Sequence, residues 1–149
     1  MTNISILGAG FIGQMHALAI HSASVSRHNL SETPKLLDLF EINENKNLAE
    51  EVASRYGFQN IILQDPQGAL TKSDLDIFWN AGPNKAHTEA TRIAAQAGAH
   101  VFCEKPLAPN SDEALDLLIN IQKTDVKHMC AFIHRFIPSL QLAQQMIKS

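Results

Sequence analysis

Short apolar runs alternate along the chain with longer stretches in which apolar residues recur every three or four positions. The runs fall at 3–7 (NISIL), 35–40 (KLLDLF), 60–63 (NIIL), 75–82 (LDIFWNAG), 99–104 (AHVFCE) and 127–134 (KHMCAFIH). They are rich in Ile, Leu, Val and Phe and mostly lack clean polar alternation, the pattern of parallel strands covered on both faces. Between them, Ala90, Ile93, Ala94 and Ala97 follow helical spacing, and Gly98 supplies a stop. Ala114, Leu117, Leu118 and Ile121 repeat that spacing. Asn110 and Glu113 stand where a capping box would, with Asn in the place of Ser or Thr. The stretch 47–57 ends at Gly57 in the same manner, and Asp65 before Pro66 reads as an N-cap with proline in the first turn.

Strand and helix in steady alternation predict an α/β fold with a parallel sheet between two helical layers. Right-handed crossovers favour the doubly wound Rossmann arrangement, strand order 3-2-1-4-5-6. The polar stretch 22–34, which ends in Pro34, reads as a loop inserted after the first helix. No internal repeat or low-complexity segment interrupts the pattern.

Composition narrows the classes. A chain of 149 residues, 45% hydrophobic, can bury a real core in one domain and is not a disordered segment. The net charge of −3 gives no reason to expect nucleic acid. No apolar stretch approaches the roughly 18 residues of a membrane span. The start of the chain shows no signal-peptide pattern. Cys103 and Cys130 both sit in apolar runs without a C-x-x-C spacing, which reads as two reduced thiols in a cytoplasmic protein. His16, His21, His28, His100 and His128 show no metal-ligand spacing, and no metal is expected.

The stretch SILGAGFIGQMH at 5–16 carries the first functional signal. It leaves the first strand and opens the first helix. There Gly8 would make the tight turn, Gly10 would let the backbone approach a pyrophosphate, and Gly13 would allow close helix–strand packing. The free N–H groups and positive end of the helix would face the phosphates, with Phe11 and Ile12 beside the cofactor. Such a site calls for an acid at the tip of the second strand, on the ribose. Glu41 is that residue: it follows Gly13 by 28 residues, and the 22–34 insertion accounts for the excess over the usual spacing. Asp38 competes but falls inside the strand. A carboxylate at that tip repels a 2′-phosphate, so NAD is expected rather than NADP. A bare glycine turn, FAD and S-adenosylmethionine are the competing readings of the loop alone.

Two later stretches are more specific. Residues 81–108 contain Ala81, Gly82, Pro83 and Asn84 after a strand, His87 opening a helix, and then Glu104, Lys105 and Pro106 after another strand. Residues 131–140 place Arg135 shortly before Pro138. This combination closely resembles the Gfo/Idh/MocA family of NAD(P)-dependent sugar and polyol dehydrogenases, and the resemblance covers essentially the whole chain. It implies that Ala81, Gly82, Pro83, Asn84, His87, Glu104, Lys105, Pro106 and Arg135 join the glycine loop and Glu41 around the cofactor. It also implies that Lys105 sits beside the nicotinamide as the catalytic group.

Oxidising a secondary alcohol needs a hydride acceptor, a group that takes the hydroxyl proton, and positioning. A lysine in water, with a pKa of about 10.4, is a poor base at neutral pH. Burial and a neighbouring cationic ring would correct that for Lys105. Glu104 would point to the opposite face of the strand and leave that effect intact. His87 would touch the cofactor or cap and pack. Arg135 and His134, read as the end of the sixth strand, would meet substrate or a second domain.

Members of the family are usually more than twice as long, with a second domain that carries substrate contacts and the oligomer interface. Residues 1–149 therefore read as the Rossmann domain alone. The expected function is the NAD-binding half of an oxidoreductase acting on a sugar or polyol hydroxyl, in a homo-oligomer. A non-catalytic NAD(H)-binding module is the alternative. Phe132, Phe136 and Ile137, with a helix at 138–148, are expected to form a bare apolar patch.

Overall fold

In the computed structural model six parallel strands form one sheet in the order β3-β2-β1-β4-β5-β6. Residues 1–25, 32–43, 45–63, 66–71 and 74–148 are described, those at 66–67 by backbone alone. The strands are β1 (Thr2–Leu7), β2 (Pro34–Glu41), β3 (Asn60–Leu63), β4 (Ile77–Asn80), β5 (His100–Cys103) and β6 (His128–Cys130). The helices between and after them are α1 (Phe11–Val25), α2 (Lys46–Tyr56), α3 (Pro66–Leu70), α4 (His87–Gln96), α5 (Ser111–Ile121) and α6 (Pro138–Lys148).

Side-chain alternation divides each strand between two layers. Ile6 and Leu39 face α1 and α2, while their neighbours Leu7 and Phe40 face α3, α4 and α5. The first layer buries Ala17, Ile20, Ala49 and Val52; the second buries Leu70, Ala90, Ala94, Leu117 and Ile121. Fully buried Leu and Phe side chains each contribute about 1.5–3 kcal/mol. Small residues on α4 let that helix lie close to Phe78 and Val101.

The helix ends follow local chemistry. Asn45 caps α2 by accepting the Leu48 N–H at 3.2 Å, and Gly57 closes it in the left-handed region at φ 81. Asn110 accepts the Glu113 N–H at 2.9 Å and donates its own amide to the Glu113 carboxylate at 2.8 Å, so the predicted capping pair forms.

Several boundaries differ from the sequence reading. Helix α1 runs to Val25 and takes the first residues of the expected loop, while Pro34 opens β2. The rest of that loop, 26–31, and the expected cap Asp65 lie outside the described residues, as does His28. On α4 the inward face is His87, Ala90, Thr91, Ala94 and Ala95; Ala97 is exposed because the helix ends at Gln96. Leu118 is half-exposed, because only Leu117 and Ile121 of α5 reach the core. Strand β6 has three residues rather than the eight of its apolar run. The chain leaves the sheet at Ala131 and turns through a 3-10 segment at Ile133–Phe136, so His134 and Arg135 do not end a strand. No residue of α6 is buried.

Candidate functional site

Parallel strands in the order 3-2-1-4-5-6 reverse direction of winding between β1 and β4, and ligands bind outside the carboxyl ends at such a point. The predicted site residues delivered there begin one step past β1, β4 and β5, while Glu41 is the last residue of β2. Backbone bonds carry the ladder beyond the strand ends: Gly8 N–H to Phe40 O at 2.8 Å, Ala81 N–H to Leu7 O at 2.9 Å, and Glu104 N–H to Asn80 O at 2.8 Å. The glycine loop, the Ala81–Asn84 turn and the Glu104–Pro106 turn are thereby set side by side.

The three loop glycines have different reasons. Gly8 has φ 103, and a Cβ there would stand 2.5 Å from the Ala81 carbonyl oxygen. A Cβ on Gly13 would overlap the Gly8 carbonyl oxygen, so the close packing of α1 is against the loop's own backbone. Gly10 has neither reason: a Cβ there meets nothing within 4 Å. The space over Gly10 is open, at the mouth of a helix whose first-turn N–H groups lack intrahelical acceptors. A cradle left empty by the protein, beside free N–H donors, fits a pyrophosphate. Phe11 and Ile12, 73% and 40% exposed, stand at this mouth uncovered by the protein.

Glu41 is the last residue of β2 and is buried, and among the described residues its two oxygens take backbone donors. Oε2 accepts the Ala9 N–H at 2.9 Å, and Oε1 accepts the Asn43 N–H at 2.8 Å. The carboxylate therefore sits on the glycine loop. Asp38, the competitor, is turned into the sheet, where Ser5 Oγ donates to it at 3.0 Å and Asn60 Nδ2 at 2.8 Å. It braces β1, β2 and β3.

The turn after β4 is held by a residue that the sequence reading passed over. Asn80 is fully buried, and its amide nitrogen reaches Ala86 O, His87 O and Thr91 Oγ1 at 3.0–3.3 Å while its oxygen accepts the Gly82 N–H at 3.2 Å. The signal was present as a polar residue ending an otherwise apolar run. His87 is equally buried. Its Nδ1 lies 2.6 Å from Pro106 O and its Nε2 3.0 Å from Gly82 O, so it clamps two loops rather than facing the cleft. Pro83 and Asn84 open the 3-10 turn at Asn84–Ala86.

Lys105 and Pro106 follow β5 and are joined by a cis peptide bond. The Lys105 side chain is exposed, so the burial expected around its amine is not supplied by the described residues. Glu104 also departs from expectation. Strand β5 ends at Cys103, so alternation does not govern it; its carboxylate turns back to accept the Lys105 N–H at 3.1 Å and pairs with His16 Nε2 at 2.8 Å. Arg135 has local partners: its guanidinium lies 5.7 Å from the centroid of the Phe132 ring, and its carbonyl accepts Gln141 Nε2 at 2.8 Å.

Burial pushes the Cys103 thiol, directly before this turn, up to about 12, and it pushes the Cys130 thiol up as well. Among the described residues no three His, Cys, Asp or Glu side chains gather as a metal site, and no helix is long and apolar enough to cross a membrane. A cavity of about 350 Å³ lined by Ile4, Ile20, Pro34, Ile77 and Trp79 lies at the other end of the sheet, away from these loops.

The family model for the oxidoreductase family with an NAD-binding Rossmann fold, GFO_IDH_MocA, matches residues 2–132. The chain belongs to this family. It is 32% identical over 146 residues to levoglucosan dehydrogenase of Pseudarthrobacter phenanthrenivorans, covering 98% of this chain and 37% of that protein. It is 28% identical to inositol 2-dehydrogenase of Rhizobium meliloti, covering 95% and 39%. A solved levoglucosan dehydrogenase, in complex with NADH and levoglucosan, superposes with a TM-score of 0.87 at 32% identity, over 99% of this chain and 39% of that one. The chain thus spans a little over a third of the length of the relatives it matches, and it is the part that forms their NAD-binding fold.

Proposed function

We propose that this chain holds NAD(H) across the carboxyl ends of β1, β2, β4 and β5 and serves hydride transfer to or from a sugar or polyol hydroxyl. The observation that carries the reading is the Glu41 carboxylate seated on the Ala9 N–H of the glycine loop. From there it accepts ribose hydroxyls and repels a 2′-phosphate, which favours NAD over NADP. The first turn of α1 faces the pyrophosphate over Gly10. Ala81, Gly82, Pro83, Asn84, Lys105 and Pro106 form the far wall, with His87 fixing that wall from behind.

When bound, the nicotinamide supplies or accepts the hydride. Lys105 hydrogen-bonds the reacting hydroxyl and, as the neutral amine, takes up its proton on Nζ. The substrate class rests on relatives named for levoglucosan and inositol. Residues 1–149 are the dinucleotide-binding domain in this reading, and a further domain encloses Lys105 and completes the substrate site. The free thiols of Cys103 and Cys130 support the reading of a reducing, cytoplasmic setting.

An NADH fluorescence titration tests this, with NADPH and S-adenosylmethionine alongside. Saturable NADH binding at least about tenfold tighter than NADPH binding is expected. Equal affinity for NADH and NADPH overturns the role of Glu41, and binding of S-adenosylmethionine alone overturns the whole reading. The exposed Lys105 side chain favours a second reading, an NAD(H)-binding module without catalysis. A protein that binds NADH and forms none from sugars or polyols in any assembly would establish it.

A further inference from the structure

We propose that His16 is a positioning residue: through the Glu104 carboxylate it fixes the backbone of Lys105, tying the helix that opens the dinucleotide loop to the lysine after β5. Its meaning for catalysis rests on the role of Lys105 given above, while the coupling itself stands on geometry alone.

His16 lies on α1, three residues beyond Gly13. Its Nε2 is 2.8 Å from Glu104 Oε1, and the two side chains are only 13% and 10% exposed. A carboxylate only accepts hydrogen bonds, so Nε2 carries the hydrogen. The second oxygen, Oε2, accepts the Lys105 N–H at 3.1 Å. Two bonds therefore run from α1 to the Lys105 backbone through one carboxylate. Glu104 is itself anchored, since its N–H donates to Asn80 O at 2.8 Å.

The imidazole is held in one orientation. Its ring centroid is 4.9 Å from that of Trp79 and 5.6 Å, edge-on, from that of Phe102. Trp79 and Phe102 are register partners on β4 and β5 with ring centroids 4.4 Å apart. A phenylalanine or leucine at position 16 would cover the same aromatic floor without taking a polar group out of water. Packing alone thus gives no reason for histidine here. What histidine adds is a donor to Oε1 of a shielded carboxylate whose other oxygen is already taken by the Lys105 N–H. A displacement of α1 would reach the Lys105 backbone along this path.

Amide hydrogen exchange on this chain tests the coupling, in wild type, His16→Phe and His16→Gln, with melting temperature and NADH affinity measured on the same samples. His16→Phe should speed exchange at the Lys105 amide by about tenfold or more, leaving the amides of Phe78 and Val101 unchanged. His16→Gln, which keeps a donor at similar reach, should restore most of the protection. Should His16→Phe not fold, His16→Leu gives the same comparison with a smaller side chain. Unchanged exchange at Lys105, or a glutamine that restores nothing, overturns the proposal. The NADH titration answers separately: loss of NADH binding by the wild type would overturn the cofactor reading and leave the exchange result as it stands.

Discussion

The carboxylate of Glu41 and the backbone N–H of Ala9 meet at 2.9 Å, which latches the tip of β2 to the loop between β1 and α1. One side chain thus serves the loop's shape and, in the proposed reading, faces the ribose as well. Glu41→Ala should weaken NAD⁺ binding by about 1–3 kcal/mol, the scale of hydrogen bonds to a charged group, and narrow the gap to NADP⁺. Glu41→Gln should keep the Ala9 contact through its amide oxygen, give up the Asn43 contact, and lose mainly the discrimination. Titration of the three proteins with both cofactors checks this. Unchanged NAD⁺ affinity in Glu41→Ala would remove Glu41 from the site.

The glycines separate folding from binding. Gly13→Ala drives a methyl group into the Gly8 carbonyl and should cost about 1–3 kcal/mol of stability or more, as overpacking does. Gly10→Ala meets open space and should leave the melting temperature within a degree or two. Its cost should appear as NADH affinity reduced about tenfold or more. Thermal unfolding and NADH titration of both variants distinguish these outcomes, and a Gly10→Ala protein with wild-type affinity would contradict a pyrophosphate over that position.

Asn80 is the polar pin of the turn after β4. Asn80→Leu leaves the Gly82 N–H and the Ala86 and His87 carbonyls without their side-chain partner in a buried place. A loss of about 1–3 kcal/mol in urea unfolding is expected. Because the same amide shapes the Ala81–Asn84 wall, NADH affinity should fall with it. A variant as stable as wild type would show that the turn holds without the pin.

Cys103 gives a pH dependence with a definite sign. Its thiol is held up to about 12 in the folded protein by burial, whereas an unfolded cysteine ionises near 8.5. Between those values the unfolded state binds fewer protons than the folded one. The contribution is complete below about pH 8.5 and is lost as pH rises toward 12, at up to about 1.4 kcal/mol per pH unit. Unfolding free energies measured between pH 8 and 11 should decline less steeply for Cys103→Ala than for wild type. Parallel slopes would contradict this.

The sheet order, the capping pair on α5 and the glycine loop were legible because each depends on local pattern: apolar runs, a three-residue spacing, three glycines after a strand. That Glu41 stands at the tip of β2 and Asp38 inside the strand was legible from their order along the chain. What escaped depends on contacts between distant segments. The partnership of His16 with Glu104 joins residues 88 apart in sequence, and nothing local in either stretch announces it. Asn80 was hidden by the apolar residues around it. The length of β6 was overcalled because a run of apolar residues continues into Phe132 and Ile133, which leave the sheet and stay exposed.

That exposure supports the last prediction. Phe132, Ile133 and Phe136 are 52–61% exposed; Leu140, Leu142, Met146 and Ile147 on α6 are 46–85% exposed. Apolar surface gathered in this way on one segment promotes association. The chain should bind NADH yet form none from sugars or polyols, because Lys105 lies uncovered, and it should self-associate through the 132–147 surface. Light scattering should show a dimer or larger species, and exchanging Phe136, Leu140 and Ile147 together for glutamine should return a monomer with NADH affinity unchanged. The glycine loop lies between β1 and α1 and Glu41 ends β2, so the exchange leaves them alone. A wild-type chain that stays monomeric at about 0.1 mM would contradict the association. Steady NADH formation from a polyol by these residues alone would contradict the need for a further domain over Lys105.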